Sequence, residues 1–576
     1  RISNRMDFSK YLAAILLLLL PLAGISAQEC AASDAEADAA ETVEESDEEG
    51  GLEISTEIKS GDKHSQTDFY LSPADIAPTF AAPKYQFFKS VPVEKPYKFM
   101  DDMTFVGIPL FAAGMIIKSK KTEFRQNYTD DHIKKKTVLL TNFKTSVDDY
   151  MQFAPLVLAT GLKLGGVDGR SDWLRYIVSA GMSYAIMAAI VNPIKYAAKE
   201  MRPDGSSANS FPSGHTATAF VGATILHKEY GLTHSPWYSA AGYAVATATG
   251  ILRVLNNRHW VSDVLAGAGI GIFSTELAYG LSDIIFKGKG LRRTDLENMA
   301  NIVQHPSFFA INMGVGIGNK NLVFALPDEE GGPGEQVAFR FKPSTVVSAE
   351  GAYFFNKYIG VGGRFALRTT PVEGFGDLMD YVAATVYEFN EDFKKDYKIS
   401  PIDFDKSDLT IESDHFTEFT GMAGVYLNLP LSKRFALGTK LLIGRSAVTD
   451  ILVSATMAGN TVRPSIDTES GKPTYIAGDP YSTRWDMLNV KGSNGMTYGS
   501  GLSVTFAYKS TFSWRAFIDY DYVSKTYTFT SDALRFFADM APEIYSHDDP
   551  DLAATQAVTT KSLHHFTFGG AFCISF

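Results

Sequence analysis

The chain has 576 residues, of which 45% are hydrophobic and 20% charged, and this length and composition predict several folded domains. The formal net charge is −12, and residues 31–50 hold nine acidic side chains and no basic one, so the composition excludes the clustered basic surface of a nucleic-acid-binding protein. Cys30 and Cys573 are the two cysteines, and they predict neither a disulfide framework nor a metal site.

The first residues have the pattern of an export signal. Lys10 precedes an apolar run from Tyr11 to Gly24, and small residues that suit a signal peptidase follow. The run is about 14 residues long, against the roughly 20 that a transmembrane helix needs, so a cleaved signal peptide over residues 1–27 is favoured over an anchor. Residues 28–64 are acidic and predict a disordered linker. The residues before Cys30 do not resemble a lipoprotein cleavage site, which disfavours lipidation there.

Residues 65–300 are predicted to form a helical domain. Their apolar segments are long, lack a period of two, and are rich in Ala and Gly, which allows helices to pack closely. None of them offers about 20 strongly apolar residues in succession, so a packed bundle is expected rather than membrane-spanning helices. The predicted helices are Tyr176–Lys199, Ser213–Glu229, Trp237–Asn256 and His259–Phe286, with a shorter core or interfacial helix at Met103–Ile117.

Residues 301–576 change to a period of two, which is typical of strands with one apolar face. Phe309, Ile311 and Met313, for example, alternate with small or polar residues. The strands of a soluble β-sandwich would also alternate between apolar and polar residues. Here, however, every tight connection is followed by a long polar loop, which is the pattern of outer-membrane barrels. The sequence therefore predicts an all-α helical bundle followed by an antiparallel meander transmembrane β-barrel of about eight strands. The predicted strands are 306–319, 343–354, 358–369, 415–428, 433–447, 497–509, 512–527 and 562–576.

The predicted barrel carries further indications of its membrane and its lumen. The residues from Phe566 to Phe576 alternate up to a terminal Phe, which resembles the C-terminal signal of bacterial outer-membrane barrels. About eight strands leave a lumen that side chains fill, so no open pore is expected. Five charged side chains point inward by phase and predict an internal ion-pair network rather than a transport path: Glu350, Arg364, Lys440, Arg515 and Asp519.

The candidate catalytic residues fall into three blocks, of which the first two offer phosphate ligands. Lys195 and Arg202 are seven residues apart, which predicts that they share one helix face. Ser213, Gly214 and His215 open the next predicted helix, whose free N–H groups suit a phosphate oxygen. Gly214 permits close approach of the backbone, and His215 is placed to meet a leaving group. Each block alone is more typical of a solvated surface or a helix cap.

The third block is Arg253 followed by His259 and Asp263. The last two residues are four apart, which predicts that they face each other on a helix. A carboxylate there can accept the Nδ1–H of the imidazole and leave the lone pair of Nε2 free, as in catalytic triads. Such an imidazole is a candidate nucleophile. Alone, a His–Asp pair is more often structural.

Together, the three blocks resemble the signature of the type-2 phosphatidic acid phosphatase family, which bacterial acid phosphatases and vanadium haloperoxidases share. The resemblance covers the chain from Phe153 to Phe286. Leu252 departs from the pattern, because the family often has Ser or Gly at that position, and this puts one minor phosphate contact in doubt. Nothing in the sequence favours the haloperoxidase reaction over phosphate-ester hydrolysis.

The resemblance implies a mechanism and a set of site residues. His259 would attack phosphorus and form a phosphohistidine, Asp263 would hold the imidazole, and His215 would protonate the leaving alkoxide and then activate water. No metal or other cofactor is implied. The implied phosphate-binding residues are Lys195, Arg202, Ser213, Gly214 and Arg253.

The two predicted halves together imply a location. An even number of strands leaves both ends of the barrel at the periplasmic side, so the catalytic domain is expected in the periplasm beneath the outer membrane. The expected substrates are phosphorylated lipids such as lipid A, phosphatidate or a polyprenyl phosphate, with outer-membrane lipid around the barrel and no nucleic acid partner. Two alternatives are a non-specific periplasmic acid phosphatase tethered by the barrel and a non-catalytic outer-membrane scaffold.

Overall fold

A computed structural model describes residues 103–120, 144–292, 303 and, with short gaps, 306–576. The predicted signal peptide, the acidic linker and Cys30 lie outside the described residues. Within them, helices precede strands, and the predicted fold class is confirmed.

The helical region is a bundle around one long buried helix, α7. Alternate glycines on α7 allow its neighbours to approach: a Cβ at Gly269 would lie 2.5 Å from the carbonyl oxygen of Gly107, and one at Gly271 would lie 2.6 Å from that of Ala217. The bundle therefore depends on these small residues. Its helices are α1 Gly107–Lys120, α2 Val147–Met151, α3 Ala154–Leu164, α4 Trp173–Ala198, α5 Gly214–Leu226, α6 Pro236–Leu255 and α7 Val261–Phe286, with a π-helical turn at His227–Gly231.

Two of these helices, α4 and α7, are long and apolar enough to cross a membrane by length and composition. The expectation that no helix would reach that threshold was wrong, because few charged residues interrupt these two. Their surroundings differ: 78% of the apolar stretch of α7 is buried inside the protein, but only 22% of that of α4. The outer face of α4 exposes Leu174, Ile177 and Tyr196, so this helix presents an apolar surface to its surroundings.

Eight strands of the C-terminal half close into a barrel. Each pairs antiparallel with the barrel strand next to it in the chain, and the pairing of the first with the last closes the ring, as predicted. Connections of two to four residues follow the strands that end at Phe354, Pro430 and Lys509, and they lie at what we call the short-turn end. Long connections lie at the opposite, long-loop end. The barrel strands are β1 Phe308–Gly318, β4 Ser344–Phe354, β5 Ile359–Thr370, β8 Phe416–Pro430, β9 Phe435–Val448, β12 Asn494–Lys509, β13 Phe512–Ser531 and β14 Thr555–Ser575.

The barrel lumen is filled by side chains and holds the predicted ion-pair network. Lys440 Nζ lies 2.7 Å from Glu350 Oε2 and 2.9 Å from Asp519 Oδ1. Arg364 forms an ion pair with Asp519, and Arg515 Nη1 lies 3.9 Å from Glu350 Oε1. All five inward charges therefore belong to one network, which confirms the assignment made from strand phase.

Additional elements cover the long-loop end. They share an apolar core in which Leu322, Val382 and Phe536 pack with Tyr527 of the barrel. This end is therefore a folded cap rather than a set of open loops. The cap comprises β2 Asn321–Pro327, β3 Pro333–Phe341, β6 Val372–Glu373, α8 Gly376–Tyr397, β7 Leu409–Ser413, β10 Ile451–Ile466, β11 Pro473–Lys491 and α9 Phe536–Met540.

The helical bundle packs against the outer wall of the barrel, and α6 runs along that wall. Near the short-turn end, the ring of Trp237 lies 5.8 Å from that of Tyr353 and 4.2 Å from that of Phe576. At the other end of α6, Val254 joins an apolar cluster with Leu367, three residues before β5 ends at the long-loop end. The 20 residues of α6 span about 30 Å, which matches the thickness of a bilayer's hydrocarbon core.

This packing bears on the expectation of a catalytic domain in the periplasm beneath the outer membrane, which stays a prediction. Outward-facing aromatic residues of three barrel strands, Phe309, Phe512 and Phe572, form one buried cluster with Leu110 and Tyr243 of the bundle. The bundle therefore lies beside the barrel over most of its height. Burial of these rings, which alternation predicted to face lipid, provides the apolar surface that joins the two regions.

Candidate active site

The loop between α4 and α5 carries Arg202. Lys199 adopts a left-handed conformation with φ of 44° and ends α4 one turn after Lys195. The prediction that Lys195 and Arg202 share a helix face was therefore wrong, since Arg202 lies beyond the helix. The loop nevertheless folds back over the same pocket: Lys195 Nζ donates a 2.8 Å hydrogen bond to the carbonyl of Asn209, and both cations act on His259.

Helix α5 begins where the sequence predicts. Ser213 is its N-cap, and the Ser213 hydroxyl accepts hydrogen bonds from the N–H and the hydroxyl of Thr216 at 3.4 and 3.0 Å. A Cβ at Gly214 would meet no atom within 4 Å, so the helix N-terminus is open on that side. His215 follows, with 32% of its side chain exposed. The free N–H groups and His215 thus border the same open space, which suits a phosphate ester and its leaving group.

A tight turn after α6 places His259. Asn257 has φ of 55°, a left-handed conformation that Asn adopts more readily than most residues. The His259 N–H donates to the carbonyl of Arg253 at 3.3 Å, which brings the imidazole beside that guanidinium. Because α7 begins only at Val261, the prediction that His259 and Asp263 both lie on a helix was wrong for His259. The two side chains still meet.

The Asp263 carboxylate faces the Nδ1 side of the His259 imidazole. Its Oδ2 lies 3.4 Å from Nδ1, and the same oxygen accepts hydrogen bonds from the Trp260 N–H at 2.9 Å and from the Ser210 hydroxyl. Both members of the pair are buried. The carboxylate is therefore fixed from two sides, and Nε2 is left for a substrate. Sequence reasoning missed Ser210, because no motif spacing marks this loop residue.

Two acidic residues of α2 also enter the site and were missed from the sequence. Arg253 Nη1 donates to Asp148 Oδ2 at 2.8 Å and to Asp149 Oδ1 at 3.0 Å. His215 Nε2 lies 3.1 Å from the same Asp149 oxygen. Asn256 positions α2, because its amide donates to Asp148 Oδ1 at 2.9 Å. An adjacent acid pair at a helix start was visible in the sequence, but Asp149 lies 46 residues before Lys195 and 104 before Arg253, so no local spacing ties it to the motifs.

Burial and neighbouring cations shift the pKa values of both histidines downward. The pKa of His259 lies well below 6.5, first because the imidazole is fully buried and then because Lys195, Arg253 and Arg202 disfavour a further positive charge. The pKa of His215 is lowered by burial and by Arg253, while the Asp149 carboxylate opposes the shift. Near neutral pH, His259 is therefore a neutral imidazole, the form that can act as a nucleophile.

The site has a buried floor and an accessible rim. Arg253, His259 and Asp263 are at most 5% exposed, whereas Lys195, Arg202, Gly214 and His215 are partly exposed. The structure thus brings all eight predicted site residues together around His259. Among the described residues, no group of three or more His, Cys, Asp or Glu side chains is arranged to hold a metal ion.

The site lies at the end of the bundle that faces the cap. Trp260, next to His259, packs in the apolar cluster with Leu367 and Phe419 of the barrel wall. Its indole N–H donates a 2.8 Å hydrogen bond to the carbonyl of Met201, beside Arg202. One side chain therefore connects the barrel wall to both loops that carry the site.

Comparisons to known proteins match the part of the chain that carries these residues. The model of the PAP2 superfamily matches residues 174–284. This part of the chain is a PAP2 superfamily domain. It contains every predicted site residue and lies within the helical domain predicted over residues 65–300, whose exact limits stay a prediction.

Individual relatives match parts of the chain. A lipid A 1-phosphatase from Porphyromonas gingivalis is 51% identical over 147 residues, which are 25% of this chain and only 33% of that protein. The crystal structure of Aquifex aeolicus LpxE covers 24% of this chain and 88% of its own, with 22% identity and a TM-score of 0.20. That of Neisserial surface protein A covers 47% and 97%, with 8% identity and a TM-score of 0.20.

Proposed function

We propose that this protein is a phosphatase that hydrolyses phosphate monoesters through a phosphohistidine on His259. One observation carries the proposal: a buried neutral imidazole lies among Lys195, Arg202 and Arg253, at the open N-terminus of α5. Phosphoryl transfer needs mainly positioning of the ester and compensation of charge on its oxygens, and these groups supply both. Guanidinium groups suit two phosphate oxygens at once, and a lysine adds a point charge.

In the first half of the reaction, the lone pair of His259 Nε2 attacks phosphorus. The bond from phosphorus to the ester oxygen breaks, its electron pair stays on that oxygen, and His215 supplies the proton that completes the alcohol. Asp263 faces Nδ1 and balances the positive charge that develops on the imidazole. Ser213 and the Gly214 N–H are proposed to contact the phosphoryl oxygens, although the Ser213 hydroxyl also caps α5.

In the second half, water attacks the phosphohistidine. His215, now neutral, accepts a proton from that water, the phosphorus–nitrogen bond breaks, and inorganic phosphate leaves a neutral His259. The lowered pKa of His215 favours its neutral form in the free protein and so supports this base role. The same residue serves as acid in the first half because bound phosphate adds negative charge beside it.

We further propose that the substrate is a phosphorylated lipid, with lipid A as the first candidate. The relative of 51% identity is a lipid A 1-phosphatase, and the aligned part includes a quarter of this chain. The apolar outer face of α4 and the outward apolar residues of the barrel support a protein surrounded by lipid. Phosphatidate and polyprenyl phosphates are further candidates. A non-specific acid phosphatase tethered by its barrel is the second proposed function.

The barrel supports a location in the bacterial outer membrane. The packing of the bundle against the barrel indicates which side of that membrane the site faces. Outer-membrane barrels place short turns in the periplasm and long loops outside. A periplasmic catalytic domain was expected, but Trp260 packs against Leu367 and Phe419 near the long-loop end. We therefore propose that the pocket opens toward the outer leaflet.

Hydrolysis can be tested with detergent-purified protein and a His259→Ala variant. Lipid A, phosphatidate, a polyprenyl diphosphate and a soluble aryl phosphate would be offered separately, and free phosphate and product mass would be followed. We expect His259-dependent release from a lipid. Release from the soluble ester alone would favour the acid phosphatase, and no release from any ester by folded protein would favour a non-catalytic scaffold.

The side of the membrane can be tested by labelling intact cells with a membrane-impermeant maleimide in a Cys30→Ser background. Ala208→Cys lies on the exposed site loop, and Lys357→Cys lies in an exposed turn of the short-turn end. We expect Ala208→Cys to react in intact cells and Lys357→Cys to react only after permeabilisation. The reverse pattern would support the periplasmic site expected from the sequence.

A further inference from the structure

An apolar cleft lies between the catalytic helices and the outer wall of the barrel. The cleft is partly open to its surroundings and has a cavity volume of about 80 Å³. The helix side includes Thr247, Ile251 and Val264, and the barrel side includes Ala349, Leu367 and Phe419. A cleft with such walls excludes charged groups and suits hydrocarbon.

The cleft adjoins the phosphate pocket through two helix ends. Val254 lines the cleft and follows Arg253 of the pocket, and Val264 lines the cleft and follows Asp263. Consecutive helical residues point about 100° apart, so the pocket and the cleft occupy neighbouring faces of α6 and α7. A ligand with its phosphate beside His259 would have its apolar part close to this cleft.

The barrel side of the cleft continues into surface that faces outward. Leu367 and Val361 lie on the same face of β5, and Phe419 and Val425 lie on the same face of β8, because each pair is an even number of residues apart. Val361 and Val425 are 44% and 45% exposed. Hydrocarbon chains that lie along this wall therefore have a continuous apolar path into the cleft.

One polar group within the cleft indicates what kind of chain it takes. The Thr247 hydroxyl is buried and has no hydrogen-bond partner among the described residues. A buried hydroxyl without a partner is unfavourable, and an ester carbonyl or hydroxyl of an acyl chain in the cleft would satisfy it once the Thr247 side chain rotates toward the chain. A prenyl chain carries no such group.

From these contacts, we propose that the cleft binds one acyl chain of the phosphorylated-lipid substrate, so that the barrel wall forms half of the lipid-binding site. This inference rests on the proposed phosphatase function. It assigns the barrel a part in substrate recognition in addition to its part in the membrane.

The kinetic test uses one substitution at two positions of the barrel wall. Ala349→Phe fills the cleft, and Ala516→Phe is a matched control on an exposed outward position of β13, away from the cleft. We expect Ala349→Phe to raise the KM for long-chain phosphatidate by about tenfold and to leave hydrolysis of an aryl phosphate unchanged. Ala516→Phe should leave both unchanged. Equal hydrolysis of phosphatidate by Ala349→Phe and the wild type, or equal loss on both esters, would overturn the proposal.

A binding test does not depend on turnover. A phosphatidate with a photoreactive diazirine on its acyl chain would be cross-linked to the His259→Ala protein in detergent. We expect labelled peptides from residues 247–268 and 347–367, and loss of this label when Ala349→Phe, but not Ala516→Phe, is added. Labelling elsewhere would contradict the cleft even if the enzyme is active. An inactive wild-type protein that is labelled in the cleft would instead reject the phosphatase function and keep the acyl-chain site.

The Thr247 hydroxyl gives a finer test of the chain's identity. Thr247→Val keeps the shape of the side chain and removes the hydroxyl. We expect a severalfold rise in KM for phosphatidate and no change for a polyprenyl phosphate. An equal rise in KM for both lipids would show that the cleft binds hydrocarbon and that the Thr247 hydroxyl does not contact the ester.

Discussion

The barrel lumen and the PAP2 pocket both bury charged side chains, but they arrange the charges differently. In the lumen, Lys440 lies between Glu350 and Asp519, and Arg364 pairs with Asp519 as well. Opposite charges alternate there, so the charged groups of the network neutralise one another within the protein. Such a network fits a structural role, because every ion pair shown has its partner on another barrel strand.

In the pocket, like charges lie near one another. Lys195, Arg202 and Arg253 all act on His259 in the same direction, and each lowers the pKa of that imidazole. Asp148 and Asp149 neutralise only the Arg253 side. This difference supports the proposed anion-binding role of the pocket, whereas the charges of the lumen are matched within the barrel.

The largest expected effect follows from removing the proposed nucleophile. His259→Ala should lower kcat by about 10⁴-fold or more, because no other side chain at the floor can form the covalent intermediate. The melting temperature should change little, and His234→Ala, at the other end of the bundle, is the matched control. The measurement is phosphate release together with trapping of an acid-labile phosphoprotein. An intermediate that persists in His259→Ala would contradict the assignment.

The next effect concerns the orientation of the imidazole. Asp263→Asn should lower kcat by roughly 10³-fold, because an amide cannot balance the charge on His259 and can favour the wrong tautomer. KM should change less than kcat if Asp263 acts through His259 rather than on the substrate. A parallel Ser210→Ala variant should lose far less, since Trp260 N–H still holds the carboxylate. A loss confined to KM would assign Asp263 to substrate binding instead.

Substitution of a charged residue in the barrel lumen should lower stability and leave activity unchanged, the reverse of what is expected for the pocket. Lys440→Met leaves Glu350 and Asp519 with a buried charge short of a partner, which should cost about 3 kcal/mol or more of stability. The value of kcat/KM per folded molecule should stay within about twofold, because the network is far from the pocket. Urea unfolding in detergent and aryl phosphate hydrolysis would be measured on the same sample. A large loss of activity at full stability would break the division between the two regions.

Local patterns in the sequence predicted most of the barrel. Alternation and loop length gave eight strands and the inward direction of Arg364 and Lys440, because a period of two fixes the face of every residue on a strand. The packing of the bundle beside the barrel was not predictable in the same way. An aromatic side chain such as Phe572 faces outward whether lipid or another helix covers it.

The site was predictable as a set of residues and not as a set of backbone positions. The motifs named side chains that the structure brings together, but left-handed residues at Lys199 and Asn257 end the helices early and put Arg202 and His259 in loops. Spacing rules assume an uninterrupted helix and cannot detect such stops. Asp149 was missed because tertiary packing, and no local spacing, brings α2 to the pocket.

The smallest predicted effect concerns this acidic residue and the pH profile. The Asp149 carboxylate, 3.1 Å from His215 Nε2, favours the protonated imidazole and so raises a pKa that burial and Arg253 lower. Asp149→Asn should therefore lower the pKa of His215 further. Because the first half of the reaction needs a protonated His215, the alkaline limb of kcat/KM should move to lower pH.

The expected displacement is less than about one pH unit, since 53% of the Asp149 side chain is exposed and solvent screens the interaction. Asp204→Asn, which removes a carboxylate paired with Arg258, is the matched control and should leave the limb in place. The full profile with a soluble aryl phosphate would be compared for the three proteins. If the limb instead moves to higher pH in Asp149→Asn, the carboxylate competes with phosphate for Arg253 more strongly than it stabilises protonated His215. Asp149 would then act mainly as the negative charge that neutralises Arg253 when no phosphate is bound.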